Sequence, residues 1–283
     1  MQTLFDLLIE PFSYSFMQQG FLIVILLAIP SALLSCFLVL KGWSLMGDAI
    51  SHSVLPGIVI AYMLAIPYAI GAFIAGITCA ISTGYICDNS RLKEDTVMGI
   101  VFSSMFALGL VIMTKIESDV HLDRILFGDL LGTTWQDIGE VACISFIVSR
   151  FMIMKGKDLL LFVFDKQHAQ AIGLPVRFLH YALLTVLSLT IVFSLKAVGM
   201  ILVIALLIAP GSIAFLLSNN FMSMLKLSIL ISCSCSFLGV YISFYLDSAP
   251  APTIIMIMSL LFIIVFIITS QTQKRRVAGN SRG

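Results

Sequence analysis

Long apolar runs separated by short polar punctuation dominate this chain. Nine of them, at about 19–40, 45–65, 67–87, 96–115, 135–154, 177–195, 197–217, 223–246 and 251–270, can cross a hydrocarbon core of ~30 Å, which takes ~20 helical residues. The second and third are joined by little more than Ala65-Ile66-Pro67, so the pattern predicts eight or nine transmembrane helices. The expected fold class is an all-α polytopic membrane protein. Two connections are long enough for structure of their own. The external loop, about 116–134, holds His121 between Asp119 and Asp123, and then a short apolar run, Ile125 to Gly132, that reads as a re-entrant or interfacial piece. The inner loop, about 155–176, predicts a short cytoplasmic helix with Asp165 at its N-terminus, Gly173 as C-cap and Pro175 forbidding continuation.

Composition agrees with this pattern. The 283 residues are 60% hydrophobic and 11% charged, with mean hydropathy +1.09, whereas soluble domains are roughly 25% charged. A net charge of +1 offers no basic surface for nucleic acid, so lipid is the expected surroundings. The start of the chain has acidic Asp6 and Glu10 rather than the basic residues of a signal peptide, so the first span is expected to act as an uncleaved insertion signal. Lys and Arg in the short loops orient the chain. With Lys274-Arg275-Arg276 in the cytoplasm and nine spans, Lys41, Arg91, Lys93, Arg150, Lys155, Lys157, Lys166, Arg177 and Lys226 all fall inside. Lys115, Arg124 and Lys196 fall outside among several acids, and the N-terminus lies outside. Tail residues 271–283 are then cytoplasmic.

The chemistry concentrates in one span. Asp48 and His52 stand four residues apart, which on a helix puts both on one face, about 6 Å apart along the axis. Counted from Lys41, Asp48 lies about 10 Å and His52 about 16 Å into the membrane, near the midplane. An ionisable group at that depth costs at least ~2.5–3.5 kcal/mol, so each needs a partner. A divalent metal is one that a carboxylate and an imidazole share. A lone histidine on an apolar helix is more often a hydrogen-bonded structural residue, but an aspartate one turn earlier on the same face reverses that balance. Ligation requires a neutral imidazole, so acid is expected to weaken it.

Other candidates carry less. His121, His168 and His180 read as loop or interface residues, and Cys233-Ser234-Cys235 as small helix residues whose thiols diverge. Leu55-Pro56-Gly57 and Ala209-Pro210-Gly211 interrupt two spans of opposite direction, as in transporter pathways. There is no G-x-x-x-x-G-K-[ST] phosphate loop and no H-E-x-x-H. An intramembrane enzyme would need a third polar group beside the pair, and Ser51 and Ser53 point off its face.

The run Lys41-Gly42-Trp43-Ser44-Leu45-Met46-Gly47-Asp48 to His52-Ser53-Val54-Leu55-Pro56-Gly57 resembles the permease subunits of bacterial ABC importers for manganese, iron and zinc. So do Ala197 to Gly211 and the loop Phe164 to Pro175, and the likeness extends from about Phe12 to Gln271. It implies one transmembrane permease domain over 1–283 in a bacterial inner membrane. Asp48 and His52 would coordinate the metal in transit, and Pro56, Gly57, Pro210 and Gly211 would break the pathway helices. Asp165, Ala169 and Gly173 would belong to the element that couples to a separate cytoplasmic ATPase. An external metal-binding protein and a second permease chain, identical or different, are the other implied partners. No cofactor is held permanently; the cargo is Mn²⁺ or Fe²⁺, with Zn²⁺ or a chelated or organic cofactor as the alternative. The lead-in Trp43 to Gly47 looks more like the manganese/iron branch. Gly211 departs from the alanine more usual in that motif.

Overall fold

The computed structural model describes residues 10–43, 45–115, 128 and 130–280, and every regular element among them is helical. Helices are what a lipid environment selects, because all backbone groups are satisfied within the segment. In chain order they are α1 (Ser15–Lys41), α2 (Met46–Ser53), α3 (Leu55–Met63), α4 (Tyr68–Asn89), α5 (Glu94–Met113), α6 (Trp135–Phe164), α7 (Lys166–Ala171), α8 (Val176–Leu217), α9 (Phe221–Leu246) and α10 (Pro250–Asn280). Six of these, α1, α4, α5, α8, α9 and α10, are long and apolar enough to cross a membrane.

The hub is α1, which α6, α8 and α9 surround. One end of α1 meets the loop before α6, where a Cβ on Gly20 would lie 3.0 Å from Leu130 Cδ2. At its other end Lys41 Nζ sits 4.7 Å from the Phe162 ring centroid. Small residues let backbones approach closely around it. Ser228 Oγ donates to the Ala32 carbonyl at 3.0 Å, and the Gly211 N–H donates to Ser35 Oγ at 2.9 Å. A Cβ at Gly211 would stand 2.7 Å from the Ser35 carbonyl carbon. The glycine that departs from the expected alanine is therefore where α8 and α1 touch.

At 42 residues, α8 would be about 63 Å long if straight, twice a hydrocarbon core. It is not straight. Gly199 has φ 77° and ψ 166°, outside the helical region. The His180 ring, early in α8, lies 5.3 Å from Trp43, just past the C-terminus of α1. Late in α8, Ala214 clusters with Cys36 of α1. Both ends thus lie at the Lys41 end of α1, and the apex packs at the other, where a Cβ on Gly128 would overlap Gly199 N. The chain folds back on itself at Gly199, in agreement with the two spans read from sequence. Lys196 ties this apex to the start of α6, pairing with Asp137 and, at 3.7 Å, with Glu140. Asp137 in turn closes a capping box with Thr134.

Two expectations change in detail, and a third falls mostly outside the described residues. The span at 45–65 is two short helices, α2 and α3, joined at Val54. The break follows from Pro56, which has no N–H for the His52 carbonyl; the Val54 N–H points there instead. The inner loop is shorter than 155–176, because α6 continues to Phe164. Its buried stripe Val148, Met152, Leu159 and Phe162 carries on past the apolar run, and Lys155 pairs with Asp158 at 3.1 Å on the exposed side. Of the external loop, residues 116–127 and 129, with His121 among them, lie outside the described residues; Leu130–Gly132 is a single 3₁₀ turn.

Candidate metal-ion pathway

Helix α2 begins near the Lys41 end of α1 and carries Asp48 and His52 inward. Their neighbours Ala49, Ile50, Ser51, Ser53 and Val54 are buried, whereas Asp48 and His52 keep 34% and 30% of their side-chain surface. The one helix face left open is thus the face that bears the two ionisable groups. His52 Nε2 stands 3.3 Å from Asp48 Oδ1. Ser51 and Ser53 turn away, each donating to a carbonyl of its own helix, Gly47 at 2.7 Å and Ile50 at 2.9 Å. No third polar group joins the pair from α2.

Depth is set by what packs behind the pair. Ile50, between the two residues, lies against Gly76 of α4, whose other neighbour is Ser188 of α8. Gly76 and Ser188 fall in the middle of α4 and of the first half of α8, so the pair stands level with the middle of these helices. Beyond it, α3 and α4 cross closely. A Cβ on Gly57 would overlap the Gly71 carbonyl and sit 2.7 Å from Ala75 Cβ, while one on Gly71 would be 2.7 Å from Ala61 Cβ. Gly57-x-x-x-Ala61 against Gly71-x-x-x-Ala75 is a small-residue crossing in which any larger side chain would part the helices. Pro56 meets α5 at Gly109. On the same helix Phe106 stands edge-on to the His52 ring at 5.2 Å, and Phe102 lies tilted beside it at 6.1 Å. Sequence reasoning does not single out these two phenylalanines; their spacing of four on an otherwise apolar helix is the one trace they leave.

The spacing suits shared ligation. Two donor atoms each about 2.1 Å from one metal ion stand about 3.0 Å apart on an octahedral edge and about 3.4 Å apart on a tetrahedral one. The observed 3.3 Å falls between these two separations. Among the described residues no group of three or more His, Cys, Asp and Glu forms a metal cage.

The short helix between α6 and α8 is built as its residues predict. Asp165 caps α7, its carboxylate accepting the His168 N–H at 2.8 Å. Ala169 is fully buried and fixes α7 to the body, while Gln167, His168 and Gln170 face outward. Gly173 follows the helix with φ 83°, and the Leu174 N–H returns to the Ala169 carbonyl at 3.0 Å.

Comparison with known proteins adds an independent line. Residues 13–269 match the model of the ABC 3 transport family. The chain is 54% identical over 267 residues to the chelated iron transport system membrane protein YfeD of Yersinia pestis, covering 94% of this chain and 90% of that one. It is 48% identical over 260 residues to the manganese transport system membrane protein MntB of Synechocystis sp., with 92% and 85% covered. Among solved structures, PsaBC from Streptococcus pneumoniae in complex with Fab superposes with a TM-score of 0.83 at 35% identity, covering 93% of this chain and 95% of that one.

Proposed function

Since the chain belongs to the ABC 3 transport family, we propose that it is the permease subunit of an ATP-driven importer that carries manganese and iron(II) past Asp48 and His52. Relatives named for manganese and for chelated iron support that cargo, and zinc fits the same donor set. One observation carries the reading: the only open face of α2 presents a carboxylate and an imidazole 3.3 Å apart at mid-depth. The carboxylate offsets part of the cation's charge in low dielectric, and the imidazole replaces a water of hydration. Two ligands hold a divalent ion loosely, which suits transit, where release matters as much as capture. A second permease meeting this face across a twofold axis supplies two more.

The remaining parts follow from that arrangement. The alternating direction of the helices and the Lys/Arg asymmetry support nine crossings of a bacterial inner membrane, with the N-terminus outside and the C-terminus in the cytoplasm. The break at Pro56-Gly57 gives the proposed route a bendable helix segment. The expected break at Pro210-Gly211 is absent: both residues lie inside the helical second half of α8, where the Gly211 N–H donates to Ser35 Oγ and the close contact with α1 holds the helix straight. Asp165, Ala169 and Gly173 shape α7 as the rigid knob through which separate ATP-hydrolysing subunits act, and an external binding protein delivers the ion. A chelated cargo is the second reading, favoured by the name of the Yersinia relative.

The test is uptake of ⁵⁴Mn and ⁵⁵Fe(II) by cells that depend on this importer. Asp48→Ala and His52→Ala, made separately, abolish uptake of both while the permease still inserts and binds its ATPase. Normal accumulation in either variant removes the pair from the route.

A further inference from the structure

We infer that α5 is the positioning element for His52, with Phe106 and Phe102 fixing the imidazole and Gly109 setting the register that brings them there. The inference rests on the reading of Asp48 and His52 as ligands. Phe102, Phe106 and Gly109 follow one another at intervals of four and three, which puts all three on one face of the helix. That face is the one turned to α2 and α3. Its opposite side is bare, with Ile100, Leu108 and Val111 all more than half exposed. α5 is held by α4, through Val97 and Val101 packed on Cys79, and by its contact with the broken span.

Two contacts fix it. A Cβ at Gly109 would lie 2.9 Å from Pro56 N and 3.0 Å from Pro56 Cδ, so the helices meet backbone to ring with nothing between. One turn away, Phe106 stands nearly perpendicular to His52, at 86°, with centroids 5.2 Å apart, and Phe102 lies beside it at 30°. Edge-to-face geometry restrains ring rotation as well as position. His52 needs that restraint. Asp48 is its only polar neighbour on α2, and with 30% of its side chain open the imidazole has room to swing away. The aromatic wall holds Nε2 toward Asp48 Oδ1, so the ion meets two donors already at ligating separation and loses less ordering entropy on binding.

Edge-to-face pairs of this kind correspond to about a 2- to 12-fold change in an equilibrium. The experiment is Mn²⁺ binding to the purified permease–ATPase complex, followed by the EPR signal of free Mn²⁺, with the Asp48→Ala complex as the blank. Phe106→Leu, apolar and of similar bulk, weakens the site about 2- to 12-fold. Phe106→Tyr, which keeps the ring, returns affinity to within about 2-fold of the original. Thermal unfolding of all three complexes stays together, which separates positioning from general loosening. Gly109→Ala keeps both rings but parts them from His52, and weakens binding as well; it serves where the leucine variant fails to assemble. Unchanged affinity in Phe106→Leu, or failure of the tyrosine to restore it, overturns the role of α5. If the Asp48→Ala complex binds Mn²⁺ as the unmodified one does, the ligand pair itself is wrong instead.

Discussion

Gly57→Ala adds one methyl group at the closest helix crossing in the molecule's pathway region. Its Cβ would overlap the Gly71 carbonyl oxygen and stand 2.7 Å from both Ala75 Cβ and the Gly71 carbonyl carbon. Two of these three atoms are backbone, so no rotamer change relieves the contact, and α3 and α4 must separate. Overpacking of this kind costs about 1–3 kcal/mol. At about 2–4 °C per kcal/mol for a chain of this size class, the apparent melting temperature falls by about 2–12 °C. Gly99→Ala on α5 is the matched control, because a Cβ there meets nothing within 4 Å. It is expected to be neutral or slightly stabilising, since alanine is favoured over glycine inside a helix by up to ~1 kcal/mol. The assay is thermal denaturation of the detergent-solubilised protein, read by size-exclusion chromatography of what survives heating. A Gly57→Ala variant as stable as the original refutes the packing argument, and so does an equal loss in both variants.

A further expectation concerns the transport cycle. Asp165→Ala removes the cap of α7 and destabilises that turn by about 0.5–2 kcal/mol, so uptake per ATP hydrolysed falls while Mn²⁺ binding at the pair is unchanged; a normal uptake-to-hydrolysis ratio contradicts it.

What could be read from the sequence divides along a physical line. The Asp48–His52 pair and the capped turn at Asp165 are legible because both are local: helical spacing puts the first two on one face, and a cap is defined by adjacent residues. The fold-back of α8 is also legible, since a mostly apolar stretch of 42 residues exceeds any bilayer and Lys196 marks the turn. The partners of His52 are not. In lipid a helix is apolar on every side, so α5 shows no amphipathic stripe by which Phe102 and Phe106 could be told from Ile100 or Val111. The reach of α6 is hidden for the opposite reason. Lys155, Lys157 and Asp158 look like loop residues, yet Leu159 and Phe162 continue its buried stripe beneath them. Gly211 is the intermediate case: its departure from alanine is visible, but only the approach of Ser35 explains it.

The most direct measurement is the anomalous scattering of Mn²⁺ in crystals of the assembled importer, with both permease chains present. The account predicts one strong peak at mid-depth, within about 2.1–2.3 Å of a carboxylate oxygen of Asp48 and of His52 Nε2, at the axis where two permeases meet. A map in which these two side chains face lipid, and the manganese lies elsewhere, contradicts it.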